Sequence, residues 1–399
     1  MRPKKRTRLL LALAPLVLIL AAELAARAAF PPPAVPRVWP PHLERVLHPD
    51  PRIMPGVSGI SHFRINSLGL RGEEPPRTPA YHIVCVGGST TECQYLDQDE
   101  AWPARLEARI RAAGHAVWVG NAGRSGHRTR EHRLQVRELV RLEPKPDSIV
   151  LLAGVNDLCR RLAADELYDP QAPERAELRS ALMADAFAVV PDGADSPLPF
   201  HKQTGLWRLA SRVRARLKGD GRGQDELGVV YVRWRERRAA RSGLRVELPD
   251  MVSALAEFRR NLEVIHATCK AAGVRLVLVT QPALWRSDLE PELERLCWMG
   301  GIGDYANVDG CEYYSLGALA EGLGRYNAEL AAFAAERGLE LVDLDAELAK
   351  DGTVFYDDVH LNEEGARLAA AAVAHHFLER SPFRMGAGRM ETDRTGTGD

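Results

Sequence analysis

The 399-residue chain lacks the features that mark several large classes of protein. Its charge is nearly balanced, with 53 Lys and Arg against 54 Asp and Glu, and this balance argues against a generic nucleic-acid binder. It has no zinc-finger spacing, no Walker phosphate loop and no Rossmann glycine fingerprint. Its scattered histidines have no carboxylate partner at the spacing of metal ligands. The sequence therefore predicts no metal site, no bound cofactor and no nucleic-acid partner.

Cysteine is also scarce, with six residues at the irregular positions 85, 93, 159, 269, 297 and 311. A domain that can bury a large core does not need disulfides, so we expect Cys85 and Cys269 to be small buried side chains. Cys297 and Cys311 could close a loop. No cysteine lies in a setting that would activate it as a nucleophile.

Short apolar runs are present, and they are spaced as strands that alternate with helices. The runs lie at 82–87, 116–120, 148–153, 274–280 and 339–344, and each is rich in Val, Ile or Leu. Strands alternating with amphipathic helices predict a doubly wound α/β/α sandwich of three layers around a five-stranded parallel sheet. The ligand crevice of such a fold lies outside the carboxyl ends of the strands.

The amino terminus predicts export. Five Lys and Arg residues within the first eight positions precede an uncharged run from 9 to 22. We interpret residues 1–30 as an uncleaved signal anchor, with a cleaved signal peptide as the alternative. The positive-inside rule then places the remainder in the periplasm or outside the cell, and cleavage would make the protein secreted. Residues 31–80 are predicted to be a proline-rich spacer and lead-in segment, and residues 385–399 a disordered tail.

Two long connections interrupt the alternating pattern. The first, residues 159–249, follows the third strand, and within 206–241 it carries eleven Lys and Arg against four Asp and Glu. Its basic and aromatic residues could grip anionic glycans or phospholipid headgroups, but we favour a solvated helical face with tryptophans packed inward. The second connection, 281–315, carries Trp285, Trp298, Tyr313 and Tyr314, which could either stack on a substrate or anchor the loop.

Three short segments carry residues suited to ester chemistry. Ser89 follows two glycines, Asn156 lies in Gly-Val-Asn-Asp, and Asp357 precedes His360 by three positions. A serine hydroxyl becomes a nucleophile when a histidine takes its proton, and an acidic residue must hold that imidazole in the right tautomer. We therefore expect Ser89 as the nucleophile, His360 as the base, Asp357 as the orienting acid with Asp358 as the substitute, and Asn156 as an oxyanion donor. Each segment alone also fits a turn or a helix cap.

Taken together, these segments resemble the sequence blocks of the SGNH hydrolases, the GDSL-like esterase superfamily. Block one resembles Val86-Gly87-Gly88-Ser89-Thr90-Thr91, block two Asn121-Ala122-Gly123-Arg124-Ser125-Gly126, block three Gly154-Val155-Asn156-Asp157, and block five Asp357-Asp358-Val359-His360. The blocks span 82–365 in the family's order, and the chain departs from it by placing Gly88 where Asp usually stands. The absence of a Gly-x-Ser-x-Gly elbow disfavours the other common serine hydrolase fold.

The resemblance implies a flavodoxin-like hydrolase domain over residues 81–384, of the membrane-anchored bacterial type, with the insertion after the third strand. It also implies an oxyanion hole formed by Ser89 N–H, Gly126 N–H and the Asn156 amide. The expected activity is hydrolysis of a short-chain O-acyl ester on a glycan or lipid. Two alternatives stay open: an O-acyltransferase that modifies an envelope polysaccharide, and a catalytically inactive, anchored glycan-binding or assembly protein.

Overall fold

The computed structural model describes residues 5–31, 34–78, 80–175, 178–191, 199–217 and 228–383. The predicted tail, residues 385–399, lies outside these ranges. The strands are β1 Glu44–Leu47, β2 Ser61–Arg64, β3 Tyr81–Gly87, β4 Val117–Asn121, β5 Ser148–Leu152, β6 Gly243–Arg245, β7 Arg275–Val279, β8 Glu312–Tyr314 and β9 Glu340–Val342.

The helices alternate with the strands along most of the chain. They are α1 Lys5–Ala29, α2 Ser89–Glu92, α3 Trp102–Ala112, α4 Thr129–Leu139, α5 Val155–Ala164, α6 Arg179–Ala186, α7 Gly205–Leu217, α8 Val229–Ala239, α9 Val252–Ala272, α10 Pro291–Glu294, α11 Leu316–Arg337, α12 Leu344–Glu347 and α13 Glu363–Glu379. Short 3₁₀ turns lie at Asp165–Leu167, Ala172–Glu174 and Phe200–Gln203.

Five strands form one parallel sheet in the order β4-β3-β5-β7-β9. Every residue of β4 and β5 is buried, as expected for a parallel sheet covered on both faces. Helices α3 and α13 pack together in one layer, and α4, α9, α11 and α5 form the other. The predicted three-layer α/β/α sandwich with five parallel strands is therefore confirmed.

The two long connections fold into structure of their own beside the sheet. Helices α6, α7 and α8 lie within the first connection, and β6 near its end pairs in parallel with β8 of the second. The two connections are thus joined by a backbone ladder. All six cysteines are free thiols, so Cys297 and Cys311 do not close a loop. Cys85 and Cys269 are fully buried, as expected from their apolar surroundings.

The amino-terminal segment forms the 25-residue helix α1, which packs against α7. Glu23 accepts hydrogen bonds from the backbone N–H groups of Gly205 and Leu206 at 2.9 and 3.0 Å, and it pairs with Arg27 at 2.6 Å. Within the part of the chain that the structure describes, no helix is long and apolar enough to cross a membrane. This finding does not support the predicted signal anchor, and the predicted export stays a prediction.

Candidate active site

Ser89 follows the carboxyl end of β3, an interior strand of the sheet, and is the first residue of α2. The neighbouring β4 and β5 end at the same edge and are followed by Gly126 and Asn156, the latter on α5. His360 lies just before α13. Because the strands are parallel, these connections meet at one edge of the sheet, where doubly wound folds bind their ligands.

The structure brings Ser89, His360 and Asp357 into one hydrogen-bonded row. Ser89 Oγ lies 2.7 Å from His360 Nε2, and His360 Nδ1 lies 2.7 and 2.9 Å from Asp357 Oδ2 and Oδ1. Asp357 is fully buried and also accepts the backbone N–H groups of Val359 and His360 at 3.0 and 2.8 Å. With Nδ1 bound to the carboxylate, Nε2 faces the hydroxyl as the atom able to receive its proton.

Electrostatics couples the acid to the imidazole. Burial alone would raise the pKa of Asp357, but the charge of His360 and the hydrogen bonds from its ring and from two backbone N–H groups lower it. Burial alone would lower the pKa of His360, but the charge and hydrogen bond of Asp357 raise it above the usual 6.5. The pair therefore favours an imidazolium beside a carboxylate, which is the charge state formed when the serine loses its proton.

Asp358 turns away from the imidazole. Its carboxylate accepts hydrogen bonds from Trp285 Nε1 at 2.7 Å and from the backbone N–H groups of Trp298 and Met299 at 2.6 and 3.3 Å. None of its described hydrogen bonds reaches His360. The geometry therefore favours Asp357 over Asp358 as the partner of the His360 ring. Asp358 instead holds the second connection, 281–315, in place through these hydrogen bonds.

Ser89, Gly126 and Asn156, which carry the three predicted oxyanion donors, line one crevice. The backbone N–H groups of Ser89 and Gly126 donate to no other residue in the described part of the chain. One hydrogen of the Asn156 amide is donated to the carbonyl of His127 at 2.9 Å, which orients the side chain and leaves the second hydrogen available. A Cβ on Gly88 would lie only 2.3 Å from Asn156 Nδ2, so the amide approaches the backbone of Gly88 closely in this chain.

Residues 85–368 match the GDSL-like lipase/acylhydrolase family, over more than two thirds of the chain. The chain belongs to this family. It is therefore an ester-bond hydrolase by family. No curated protein is significantly similar to it in sequence.

Solved structures that resemble this GDSL-like hydrolase share little sequence with it. An acetylxylan esterase from Geobacillus stearothermophilus is 13% identical, with 77% of this chain and 97% of that chain covered and a TM-score of 0.39. A member of the lipolytic G-D-S-L family from Veillonella parvula is 15% identical, with coverages of 75% and 99% and a TM-score of 0.38. A lipase/acylhydrolase from Enterococcus faecalis is 15% identical, with coverages of 75% and 96% and a TM-score of 0.39.

Two further contacts hold the loops of the GDSL-like hydrolase that carry Gly126 and Asn156. Glu92, which is 1% exposed, accepts both the backbone N–H and the hydroxyl of Ser125 at 2.5 and 2.6 Å. Asp157 accepts the hydroxyl of Thr129 at 2.5 Å and so joins the start of α4 to the start of α5. Burial raises the pKa of both carboxyl groups, that of Asp157 to about 7. These hydrogen bonds hold the loop next to Gly126 and the start of α5, which carries Asn156, in place.

Aromatic rings enclose the imidazole. Tyr356 stacks on His360 with ring centroids 5.5 Å apart and planes 9° apart, and Tyr231 meets the same ring edge-on at 6.0 Å. Trp298 donates Nε1–H to Asp357 Oδ2 at 3.0 Å and stacks on Trp234 at 4.2 Å. Tyr231 and Trp234 come from α8, so both long connections contribute to the site.

The site opens into a crevice of about 840 Å³. Its lining includes Ser89, Asn156 and His360, together with residues of the 3₁₀ turn Ala172–Glu174 and of the α6 region in the first connection. Among the described residues, no cluster of three or more His, Cys, Asp or Glu side chains could hold a metal ion. The crevice is large enough for an ester with a sugar-sized alcohol.

Two arginines of the described helix α8 are bound to the rest of the protein. Arg235 donates to the carbonyls of Ile53, Leu296 and Tyr356, and Arg238 donates to those of Met299 and Tyr314. Its described tryptophan on α8 is packed inward against Trp298. The favoured interpretation, a solvated helical face with tryptophans packed inward, therefore fits Trp234 but not Arg235 and Arg238, which bind backbone carbonyls, nor Trp207, which is 40% exposed. The binding of anions by 206–241 stays a prediction.

Sequence reasoning missed several residues that shape the site. Tyr356 directly precedes Asp357 and Asp358, and Glu92 lies one helical turn after Ser89. Neither residue belongs to a sequence motif from which its contact at the site could be predicted. Trp298 and Tyr231 stood out as aromatics in the two connections, but their sequence did not show that they meet at the imidazole. A polar or aromatic residue next to a catalytic motif is the one signal that could have found the first two.

Proposed function

We propose that the protein is a serine esterase that hydrolyses a short-chain O-acyl ester through Ser89, His360 and Asp357. The observation that carries the proposal is the row of contacts from Ser89 Oγ to His360 Nε2 at 2.7 Å and from His360 Nδ1 to Asp357 Oδ2 at 2.7 Å. In this arrangement a hydroxyl, a base and an orienting carboxylate are already within hydrogen-bond reach.

In the first half of the reaction, Ser89 Oγ attacks the ester carbonyl while His360 Nε2 takes its proton. The developing oxyanion receives hydrogen bonds from Ser89 N–H, Gly126 N–H and Asn156 Nδ2. Collapse of the tetrahedral intermediate breaks the ester bond, and His360 gives the proton to the departing alcohol. In the second half, His360 takes a proton from a water molecule as the water oxygen attacks the acyl carbonyl. Collapse of this second tetrahedral intermediate breaks the bond to Ser89 Oγ, His360 returns the proton to that oxygen, and the carboxylic acid leaves.

The lining of the crevice supports a small acyl group. Aliphatic side chains are few along it, and they are confined to Leu178, Leu182, Met299 and several alanines. A long acyl chain needs a continuous apolar channel, because each CH₂ left in water forfeits about 0.8 kcal/mol of burial. A crevice lined with arginines, aspartates and aromatic rings suits a polar alcohol such as a sugar.

The test combines active-site labelling with turnover. The full chain would be treated with a fluorophosphonate probe, the labelled peptide mapped by mass spectrometry, and hydrolysis of a short-chain aryl ester followed in parallel. We expect labelling at Ser89, with both labelling and turnover lost in Ser89→Ala and turnover lost in His360→Ala. A well-folded sample that neither labels nor turns over would refute the proposal and favour the binding-protein alternative.

The acceptor is tested separately. We propose water, because the crevice is open to solvent. Product analysis with an acetyl donor and an excess of a glycan would show free acetate as the main product. Acetylated glycan in place of acetate would instead establish the O-acyltransferase alternative.

A further inference from the structure

Helix α5 lines the crevice along one whole face. Four of its residues face the open space, Asn156, Cys159, Arg160 and Ala163, and their spacing of three and four residues defines one side of a helix. The helix that presents the Asn156 amide to the reacting carbonyl therefore presents Arg160 one turn farther along. Four residues of an α-helix rise about 6 Å, which is about the width of a sugar ring.

Arg160 differs from the other two arginines that line the crevice. Arg128 pairs with Glu131 at 2.7 Å, and Arg130 pairs with Glu257. The guanidinium of Arg160 is in contrast solvent-accessible and makes no hydrogen bond or ion pair with any residue in the described ranges of the chain. Of the three arginines among the described lining residues, Arg160 is therefore the one whose N–H donors remain available to a ligand.

The surroundings of Arg160 carry excess positive potential. Partial burial lowers its pKa, the charges of Arg128 and Arg130 lower it further, and Glu131 and Tyr168 oppose them. A guanidinium stays protonated after such a lowering of its pKa. The positive charges of Arg160, Arg128 and Arg130 therefore continue to repel one another unless an anion binds beside Arg160.

Two aspartates also line the crevice. Asp304 accepts a hydrogen bond from the side chain of Asn307 at 2.8 Å. The negative charge of Asp185 acts to raise the pKa of Arg124. Neither aspartate is hydrogen-bonded to Arg160. The two acidic side chains therefore leave the N–H donors of the Arg160 guanidinium unused.

We propose that Arg160 binds an anionic group on the alcohol portion of the ester substrate, such as a carboxylate, sulfate or phosphate on an acylated sugar. This inference rests on the proposed esterase function and names the substrate class of that same crevice. The planar fork of a guanidinium donates two parallel hydrogen bonds to such groups. An anion held there lies about one sugar ring from the reacting carbonyl, so binding it also places the ester against Ser89.

The experiment compares acetate release from matched sugar esters by the full chain. Acetylated methyl glucuronide carries a carboxylate, acetylated methyl glucoside 6-sulfate and 6-phosphate carry the other two anions, and acetylated methyl glucoside is neutral. We expect kcat/KM to favour at least one anionic ester over the neutral ester by about tenfold or more, the effect of one charge-assisted hydrogen bond pair.

Variants then assign that preference. Arg160→Gln is expected to reduce the anionic-to-neutral ratio of kcat/KM by about tenfold or more, mainly through KM, and Arg160→Lys to restore part of it. Arg77→Gln is the matched control, because Arg77 is an exposed arginine that precedes β3 at the opposite edge of the sheet. It should keep the wild-type ratio. Thermal melting of each variant shows that the fold is retained.

A competition assay gives a second readout. Free methyl glucuronide should inhibit hydrolysis of a neutral aryl ester competitively in the wild-type protein and much more weakly in Arg160→Gln. The inference is overturned if the wild-type protein shows no anionic preference, or if Arg160→Gln keeps the preference and the inhibition. If the Arg160 inference fails in this way while the fluorophosphonate probe still labels Ser89 and the neutral ester is still hydrolysed, the esterase proposal remains valid without it. If neither labelling nor hydrolysis occurs, both the esterase proposal and the Arg160 inference are overturned.

Discussion

Replacing Trp298 with Phe isolates one contact to Asp357, the proposed orienting acid. The indole Nε1–H of Trp298 donates to Asp357 Oδ2 at 3.0 Å, while its ring stacks on Trp234. Phenylalanine keeps an aromatic ring in the stack but removes the donor. Asp357 is then left with three donated hydrogen bonds, from the His360 ring and from the backbone N–H groups of Val359 and His360.

The expected magnitude follows from the burial of that carboxylate. A hydrogen bond to a buried charged group contributes about 1.5–3 kcal/mol, so the free energy of unfolding should fall by about this amount. With one donor fewer, the negative charge of Asp357 is less neutralised and stabilises the imidazolium more strongly. The pKa of His360, already raised above 6.5, should therefore rise further, by at most about one pH unit or 1.4 kcal/mol.

The assay is the pH dependence of kcat/KM for a neutral aryl ester, together with chemical denaturation. His360 must be neutral to act as a base, so activity rises with pH through its pKa, and the acidic limb should move to higher pH in Trp298→Phe. Turnover near pH 7 should fall by up to about tenfold and recover at higher pH.

A matched control exists in the same loop. Trp285 Nε1 donates to Asp358 at 2.7 Å, and Asp358 is not hydrogen-bonded to the imidazole. Trp285→Phe should lower stability by a similar amount but move the acidic limb far less. Equal shifts of the limb in both variants, or none in Trp298→Phe, would refute the assignment of Trp298 as a positioning residue for Asp357.

Other predictions address the oxyanion donors and the pH range. Asn156→Ala should lower kcat by about a hundredfold or more, with labelling of the serine retained, and an unchanged kcat would remove Asn156 from the oxyanion hole. Gly88→Ala should approach that loss in the same assay, because its Cβ would lie 2.3 Å from Asn156 Nδ2 and displace the amide; wild-type turnover would contradict this. Glu92→Gln should lower kcat more than KM, since Glu92 fixes the loop at Ser125, and a purely KM effect would argue against that role. In the wild-type protein, the midpoint of the acidic limb should lie above pH 6.5, as the raised pKa of His360 requires.

Local sequence was enough to predict the strands and the residues at their ends. The apolar runs at 82–87 and 148–153 match β3 and β5 to within one residue at each end, because a strand buried on both faces is largely apolar along its length. The chemistry-bearing residues stand directly after those runs, and parallel strands bring such positions to one edge. The spacing of Asp357 and His360 likewise puts both on one short loop.

Sequence also left real alternatives at the site. Its spacing favoured Asp357 as the orienting acid but kept Asp358, which is adjacent and chemically alike, as the substitute. The tertiary structure separates them, because Trp285 and the backbone of the second connection bind Asp358, while the imidazole faces Asp357. The same packing places the indole N–H of Trp298 against Asp357 and the ring of Tyr231 against the imidazole of His360.

The sequence by itself determined the layer architecture and the set of polar residues at the sheet edge, because hydrophobic periodicity and parallel topology are local or nearly local properties. Only the tertiary structure decided which aromatic and charged side chains enclose that edge. Those contacts join positions far apart in the chain, such as Trp298 with Asp357, 59 residues apart, and Tyr231 with His360, 129 residues apart. Their formation depends on how two folded connections pack against the sheet, which no local pattern encodes.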